Sequence, residues 1–340
     1  MSVYGFQPID GLPEYAAFTY TFTVLTAFAA LTAVYSVFSF GVTVKMIVFY
    51  TRNRASDVLK QGIRADVLRL FLAMQLWNGL HVLLDFLVVR LPLTSAFTAY
   101  CATSKPEVLL KTLSLLFTGC VYSSHLLTLM FCVQRVALLY ANEWQKETIS
   151  RVIDVVCPIL IVCGHSLGIP HFMAPNSCFQ MDEPFPFGAV VITTVHGRGE
   201  LVTDMTTPNI TTARVEFQPV YAIIYVVCTQ LMILLIVATT CLMFGKLHQK
   251  RRLSSELHQK YSSKAEKTLT ATMILILLPI IMPAILSVAA IFNHTFYSWL
   301  FLLRPICLDA RAHVVSCYFY FTHPIFKKTR VTGKAGGASG

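Results

Sequence analysis

Residues 22–44 read FTVLTAFAALTAVYSVFSFGVTV, running from Phe22 to Val44 without a formal charge. A bilayer core about 30 Å thick takes roughly 20 mostly apolar residues per helix, so this stretch is long enough to cross it. Six more windows pass the same test, at about 67–90, 108–135, 152–174, 218–245, 268–293 and 297–321. The fourth carries Pro158, His165 and Pro170, yet Val155 to Met173 contains no formal charge. The last two come from one apolar run, Ala271 to Phe321, which Asn293-His294-Thr295 divides. Composition agrees: of 340 residues, 55% are hydrophobic and only 13% charged, against about 25% charged in an ordinary soluble domain. Mean hydropathy is +0.63. A cytosolic enzyme is excluded on these grounds, and the expected fold is an all-α, seven-transmembrane-helix bundle.

Basic residues set its orientation, because cytoplasmic loops collect Lys and Arg. Most of the 27 fall around residues 45–69, 135–151, 246–267 and 327–334, on one side of the predicted membrane. The other side holds Arg90, Lys105, Arg198 and Arg214, and the first 21 residues hold none. The N-terminus is therefore expected outside. The chain divides into an extracellular tail (1–21), a receptor-sized bundle (22–321) and a cytoplasmic tail (322–340). No cleavable signal peptide is expected, since the first apolar run is too long and no basic segment precedes it. The net charge of +10 reads as contact with anionic inner-leaflet lipid, not as nucleic-acid binding.

Of the ten cysteines, only Cys101 and Cys178 fall in loops assigned to the outside. An oxidising compartment favours their pairing; two unpaired loop thiols are the alternative. Asn209-Ile210-Thr211 is a glycosylation triplet in the long fourth-to-fifth loop, on the same side. Within that loop Val190–Val195 and Glu200–Thr203 flank His196-Gly197-Arg198-Gly199, which reads as a β-hairpin lying over the outer mouth of the bundle.

Polar side chains inside a membrane are costly and must face the protein interior. In the second window Gln75, Asn78, His81 and Asp85 share one helical face. In the third, Lys111, Thr118, Tyr122, His125, Cys132 and Arg135 form a second stripe, and the seventh carries Arg304, Asp309 and Arg311. At about 1.5 Å rise per residue, Asp85 and Arg304 differ in depth by only ~4 Å. Two outcomes are open: Asp85–Arg304 and Asp309–Arg311 satisfy each other internally, or one cation is left for an anionic ligand. The expected ligand set is Asn78, His81, Asp85, Lys111, Thr118, Tyr122, Arg304 and Arg311. Pro279 and Pro283 open the sixth helix by removing backbone donors, either as a hinge or as a passive kink. Arg135, at the inner end of the third helix, either locks the inner mouth or snorkels to the interface.

Several segments carry a family likeness: Gly11-Leu12-Pro13-Glu14-Tyr15, Gln134-Arg135 with Trp144, Pro184-Phe185-Pro186-Phe187-Gly188, and Arg304-Pro305 through Thr322-His323-Pro324-Ile325-Phe326-Lys327. With them the chain resembles G-protein-coupled receptors, and more specifically the nematode serpentine chemoreceptors of the Srg superfamily, in its Sru branch. The resemblance implies sensing of an external small molecule, an acidic pheromone among the candidates, and coupling to a heterotrimeric G protein in a ciliated sensory neuron. Arg135, Lys246, Arg251 and Arg252 are the residues expected to meet that partner. Two departures stand out. Gln134 occupies the position where many receptors place an acid beside the arginine, and the seventh helix ends in His323-Pro324 without an Asn-Pro-x-x-Tyr pattern.

Other functions fit less well. The seventh window has no lysine for a retinal Schiff base. A ligand-gated channel or small-solute transporter could use the polar stripes, but neither a filter-like glycine run nor a repeated half is visible. No phosphate loop, zinc motif or nucleophile elbow points to an enzyme, and no metal or other cofactor is expected.

Overall fold

The computed structural model describes residues 8–54, 63–104, 107–194, 218–253, 260–292 and 294–326. Long helices dominate them. α1 spans Val24–Asn53. α2 spans Ala65–Asp85, passes through a π turn at Phe86–Arg90 and ends at Leu93. α3 covers Glu107–Tyr140 and α4 Glu143–Ser166. α5 covers Gln218–Leu253 and α6 Lys260–Phe292. α7 runs from His294 to Asp309, opens into a second π turn at Ala310–Val314 and closes with Val315–Thr322. Among the described residues α1 to α5 each contain a stretch long and apolar enough to cross a membrane, and α6 adds a shorter apolar stretch, Lys267–Met282.

The helices bury polar groups and display apolar ones. Thr32 and Ser39 of α1 face inward while Val24, Val34 and Val37 are exposed; Gln75, Asn78 and Asp85 of α2 are buried while Leu76 and Leu83 are exposed. In water this would be an aggregation liability. In lipid it is the favourable arrangement, because the outward side chains meet acyl chains and the inward ones meet each other.

α3 packs against α2, α4 and α5. Its seam with α4 depends on small residues. A Cβ added at Gly164 would stand 2.7 Å from the Ser123 backbone nitrogen, and one at Gly168 would stand 2.9 Å from the Leu115 carbonyl. Close backbone approach through small residues is how membrane helices gain packing energy without a hydrophobic drive. His165, a blemish in the fourth apolar window, lies in this seam, its Nδ1 3.1 Å from Ser123 Oγ and 2.9 Å from the Ile161 carbonyl.

One end of the bundle carries a cap. Cys101, in the short helix Thr98–Ser104, is bonded to Cys178. Cys178 lies on strand β1 (Asn176–Gln180), which pairs antiparallel with β2 (Val190–Thr194). A hairpin is thus present, formed by β1 and β2, while the expected pairing of Val190–Val195 with Glu200–Thr203 reaches residues outside the described ones. Val190–Thr194 turns back through residues 181–189 onto the upstream strand. The Pro184–Gly188 segment makes the return: Gly188 adopts a positive φ of 88°, a backbone conformation that glycine accepts without penalty. The N-terminal segment completes the cap. Ile9 N–H donates to the Cys178 carbonyl at 3.0 Å and Gly11 N–H to the Ala102 carbonyl at 3.1 Å, while Tyr15 stacks on Phe187.

The opposite end is closed by aromatic packing. After α7 the chain turns at His323, and Ile325 and Phe326 return into the core. Phe319 packs on Phe71 with ring centroids 4.2 Å apart, and Phe326 on Phe49 at 5.0 Å.

Candidate functional site

The first polar layer beneath the cap is a chain of ion pairs. In an α-helix Arg90 would sit roughly 140° round the axis from Asp85. The π turn, with its wider i→i+5 bonding, brings them onto one face, and Arg90 Nε donates to Asp85 Oδ2 at 2.8 Å. The two terminal nitrogens of Arg90 then grip Asp309 on α7 as a fork, at 2.9 and 2.6 Å, the planar geometry that favours arginine. The other oxygen of Asp85 accepts from Arg304. His313 flanks the chain, its Nε2 3.8 Å from Asp309 Oδ1 and 3.0 Å from Ser36 Oγ.

The expected Asp85–Arg304 pair is thus present. Asp309 and Arg311 do not pair, because residues two apart on a helix point to different neighbours. Arg90 also needs correction. Expected at the outer surface, it is only 4% exposed and links α2 to α7. No local sequence signal marks the π turn that turns it inward.

The second layer is different. Arg311 donates to the Ser124 carbonyl at 2.9 Å and to Thr128 Oγ1 at 2.7 Å, both on α3. Its Nε has no hydrogen-bond partner, and no carboxylate pairs with it among the described residues. Other buried polar groups of α2 and α3 are also unsatisfied. Both amide atoms of Asn78, both ring nitrogens of His81, and Nε2 of His125 are buried without a partner. Asn78 and His81 stand one turn apart on α2, and His125 lies on α3 between the two residues that hold Arg311. The sequence placed His125 in the polar stripe of α3 but not in the ligand set.

The remaining expected ligand residues divide. Thr118 and Tyr122 are buried on α3. Lys111 is partly exposed near the start of α3 and pairs with Glu107 at 2.5 Å, four residues before it, instead of joining either buried acid.

At the aromatic end of the bundle, Arg135 is buried and within electrostatic range of His323. Its neighbour Gln134 meets an acid from another helix. Gln134 Nε2 donates to Asp66 Oδ2 at 3.1 Å, and Arg64 donates to the same carboxylate at 3.1 and 3.4 Å. Arg64 also reaches the Lys146 carbonyl at 3.0 Å, tying the start of α2 to the start of α4. Lys246 lies over the Tyr140 ring, 4.7 Å from its centroid. Arg251 and Arg252 fall on the last turn of α5, and their side chains, like Asn209, lie outside the described residues. α6 runs helical through Pro279 and Pro283.

Lipid-facing helices around a charged interior, with a disulfide-tied cap, define a multi-pass plasma-membrane protein. The family model of the serpentine type 7TM GPCR chemoreceptor Sru matches residues 9–329, and the chain belongs to that family. A stretch of 114 residues is 26% identical to serpentine receptor class U-26 of Caenorhabditis elegans, covering 33% of this chain and 39% of that receptor. The family is one of chemosensory receptors, not of enzymes.

Proposed function

We propose that this chain crosses the plasma membrane seven times with its N-terminus outside, binds an external acidic small molecule, and activates a heterotrimeric G protein. The hairpin cap covers the mouth through which the ligand enters. Asn78, His81 and Arg311 receive it, with Asp85, Arg304, Thr118 and Tyr122 shaping the site and Lys111 at its rim. Arg135, Lys246, Arg251 and Arg252 meet the G protein, and the bend at Pro279 and Pro283 transmits the change. Asn209 carries the glycan, and the sensory cilium is the place of action.

One observation supports this reading above the others. Arg90 and Arg304 occupy the carboxylates of Asp85 and Asp309, and the buried Arg311 beneath them has no carboxylate among the described residues, a positive charge that an acidic ligand would neutralise. The test is a screen of acidic and neutral small molecules with a G-protein readout in cells expressing the chain. An acidic compound should activate, and Arg135→Ala should abolish the response at unchanged surface expression. Ionic current through the purified chain without G protein would favour the channel instead.

A further inference from the structure

The geometry points to a monoanion site inside the bundle, centred on Arg311 and completed by His81, with Asn78 one turn away on the same helix. Arg311 is 3% exposed, and its contacts are neutral: a carbonyl and a hydroxyl. A guanidinium removed from water is tolerated when a counter-charge faces it. Arg90 and Arg304 have theirs in Asp85 and Asp309; Arg311 has none among the described residues. Water could satisfy the orphan Nε but would not neutralise the charge.

The neighbouring groups suit an anion and not a cation. A buried amide nitrogen at Asn78 and either unpartnered ring nitrogen of His81 can be presented as donors, whereas the N–H of a neutral His125 is already committed through Nδ1 to the Val121 carbonyl at 2.7 Å. Arg311 is within electrostatic range of both histidines, and His81 also feels Arg90 and Arg304. A cation would meet this positive field directly. A singly charged group, either the carboxylate of a small organic acid or a halide, matches the one unbalanced charge. The source of the anion rests on the receptor reading; the site itself does not.

Thermal unfolding of the purified full chain in lipid nanodiscs tests the site without any G protein. Chloride or acetate is titrated into sulfate buffer at constant ionic strength. An anion at concentration c stabilises the folded state by RT ln(1 + c/Kd), so the unfolding temperature should stay level below the midpoint concentration and climb by a few degrees with the logarithm of concentration above it. Such a rise with chloride identifies a resident halide, whereas a rise with acetate alone identifies the carboxylate of an external ligand. Arg311→Gln should abolish the rise. Asn78→Leu, which leaves every charge in place, should raise the midpoint concentration several-fold and serves if the arginine variant does not fold. The site is overturned if neither anion gives such a rise in the parent chain. It is equally overturned if Asn78→Leu, or a folded Arg311→Gln, responds as the parent does. Because signalling is not read, a receptor that fails to couple and a site that fails to bind are told apart.

Discussion

Two polar layers lie against each other in the interior, built from α2 and α7 with α3 joining the second. In the upper one every charge is matched: Arg304, Asp85, Arg90 and Asp309 follow one another across the bundle, each acid touching an arginine. In the lower one Arg311 leans on neutral oxygens while Asn78, His81 and His125 keep unpartnered atoms. Desolvation acts on both layers alike; the availability of a partner differs. A closed chain of ion pairs holds helices together and has little left to offer a ligand. An open set of donors around a lone cation adds little to the fold and has its bonding capacity free. The contrast assigns architecture to the first layer and recognition to the second.

The contrast breaks most visibly at its matched layer. Asp309→Asn leaves Arg90 and Arg304 to share the one carboxylate of Asp85, and removing one partner of a buried pair costs about 3–5 kcal/mol. Loss of most folded protein on detergent extraction is expected, measured by fluorescence-detected gel filtration. Next is the cap. Cys101→Ser should destabilise by about 2–4 kcal/mol and lower the unfolding temperature of the receptor; an unchanged value would mean that the hairpin and N-terminal segment hold without the bridge. In the open layer, Arg311→Met should leave the ligand-free receptor as stable as the parent or slightly more so, because an apolar side chain is not penalised for lacking a partner. A loss as large as that of Asp309→Asn would erase the distinction between the layers.

A smaller effect is expected from Gln134→Leu. It removes a hydrogen bond to a charged group, a contribution of about 1.5–3 kcal/mol that the Arg64–Asp66 contact partly retains. Basal G-protein activity should rise modestly as the ends of α2 and α3 loosen, read as second-messenger level without ligand. Lys111→Met should change neither yield nor unfolding temperature, since exposed i,i+4 pairs contribute little.

The apolar windows were legible because membrane insertion reads length and hydropathy, which are properties of the chain alone. The pairing of Asp85 with Arg304 was legible for a similar reason: depth along a helix can be counted. What stayed hidden depends on geometry that no residue type announces. Arg90 closed the second apolar window and looked like a surface charge until the π turn rotated it onto Asp85. β2 is legible in its Val and Ile content, but its pairing with β1 is not, because it depends on the turn at Gly188 that reverses the chain toward Cys178. That Gln134 would itself meet an acid, Asp66 on another helix, is likewise not marked by either residue's neighbours in sequence. The packing of Ile9 and Asp10 against β1 joins residues more than 160 positions apart, beyond the reach of any local pattern.

The most direct measurement is a dose–response to an activating acid in cells expressing the parent chain, Arg311→Gln and Lys111→Gln, with surface expression held equal. The matched-and-open account predicts that the response disappears in Arg311→Gln and survives in Lys111→Gln. An intact response in Arg311→Gln, or a loss confined to Lys111→Gln, would contradict it.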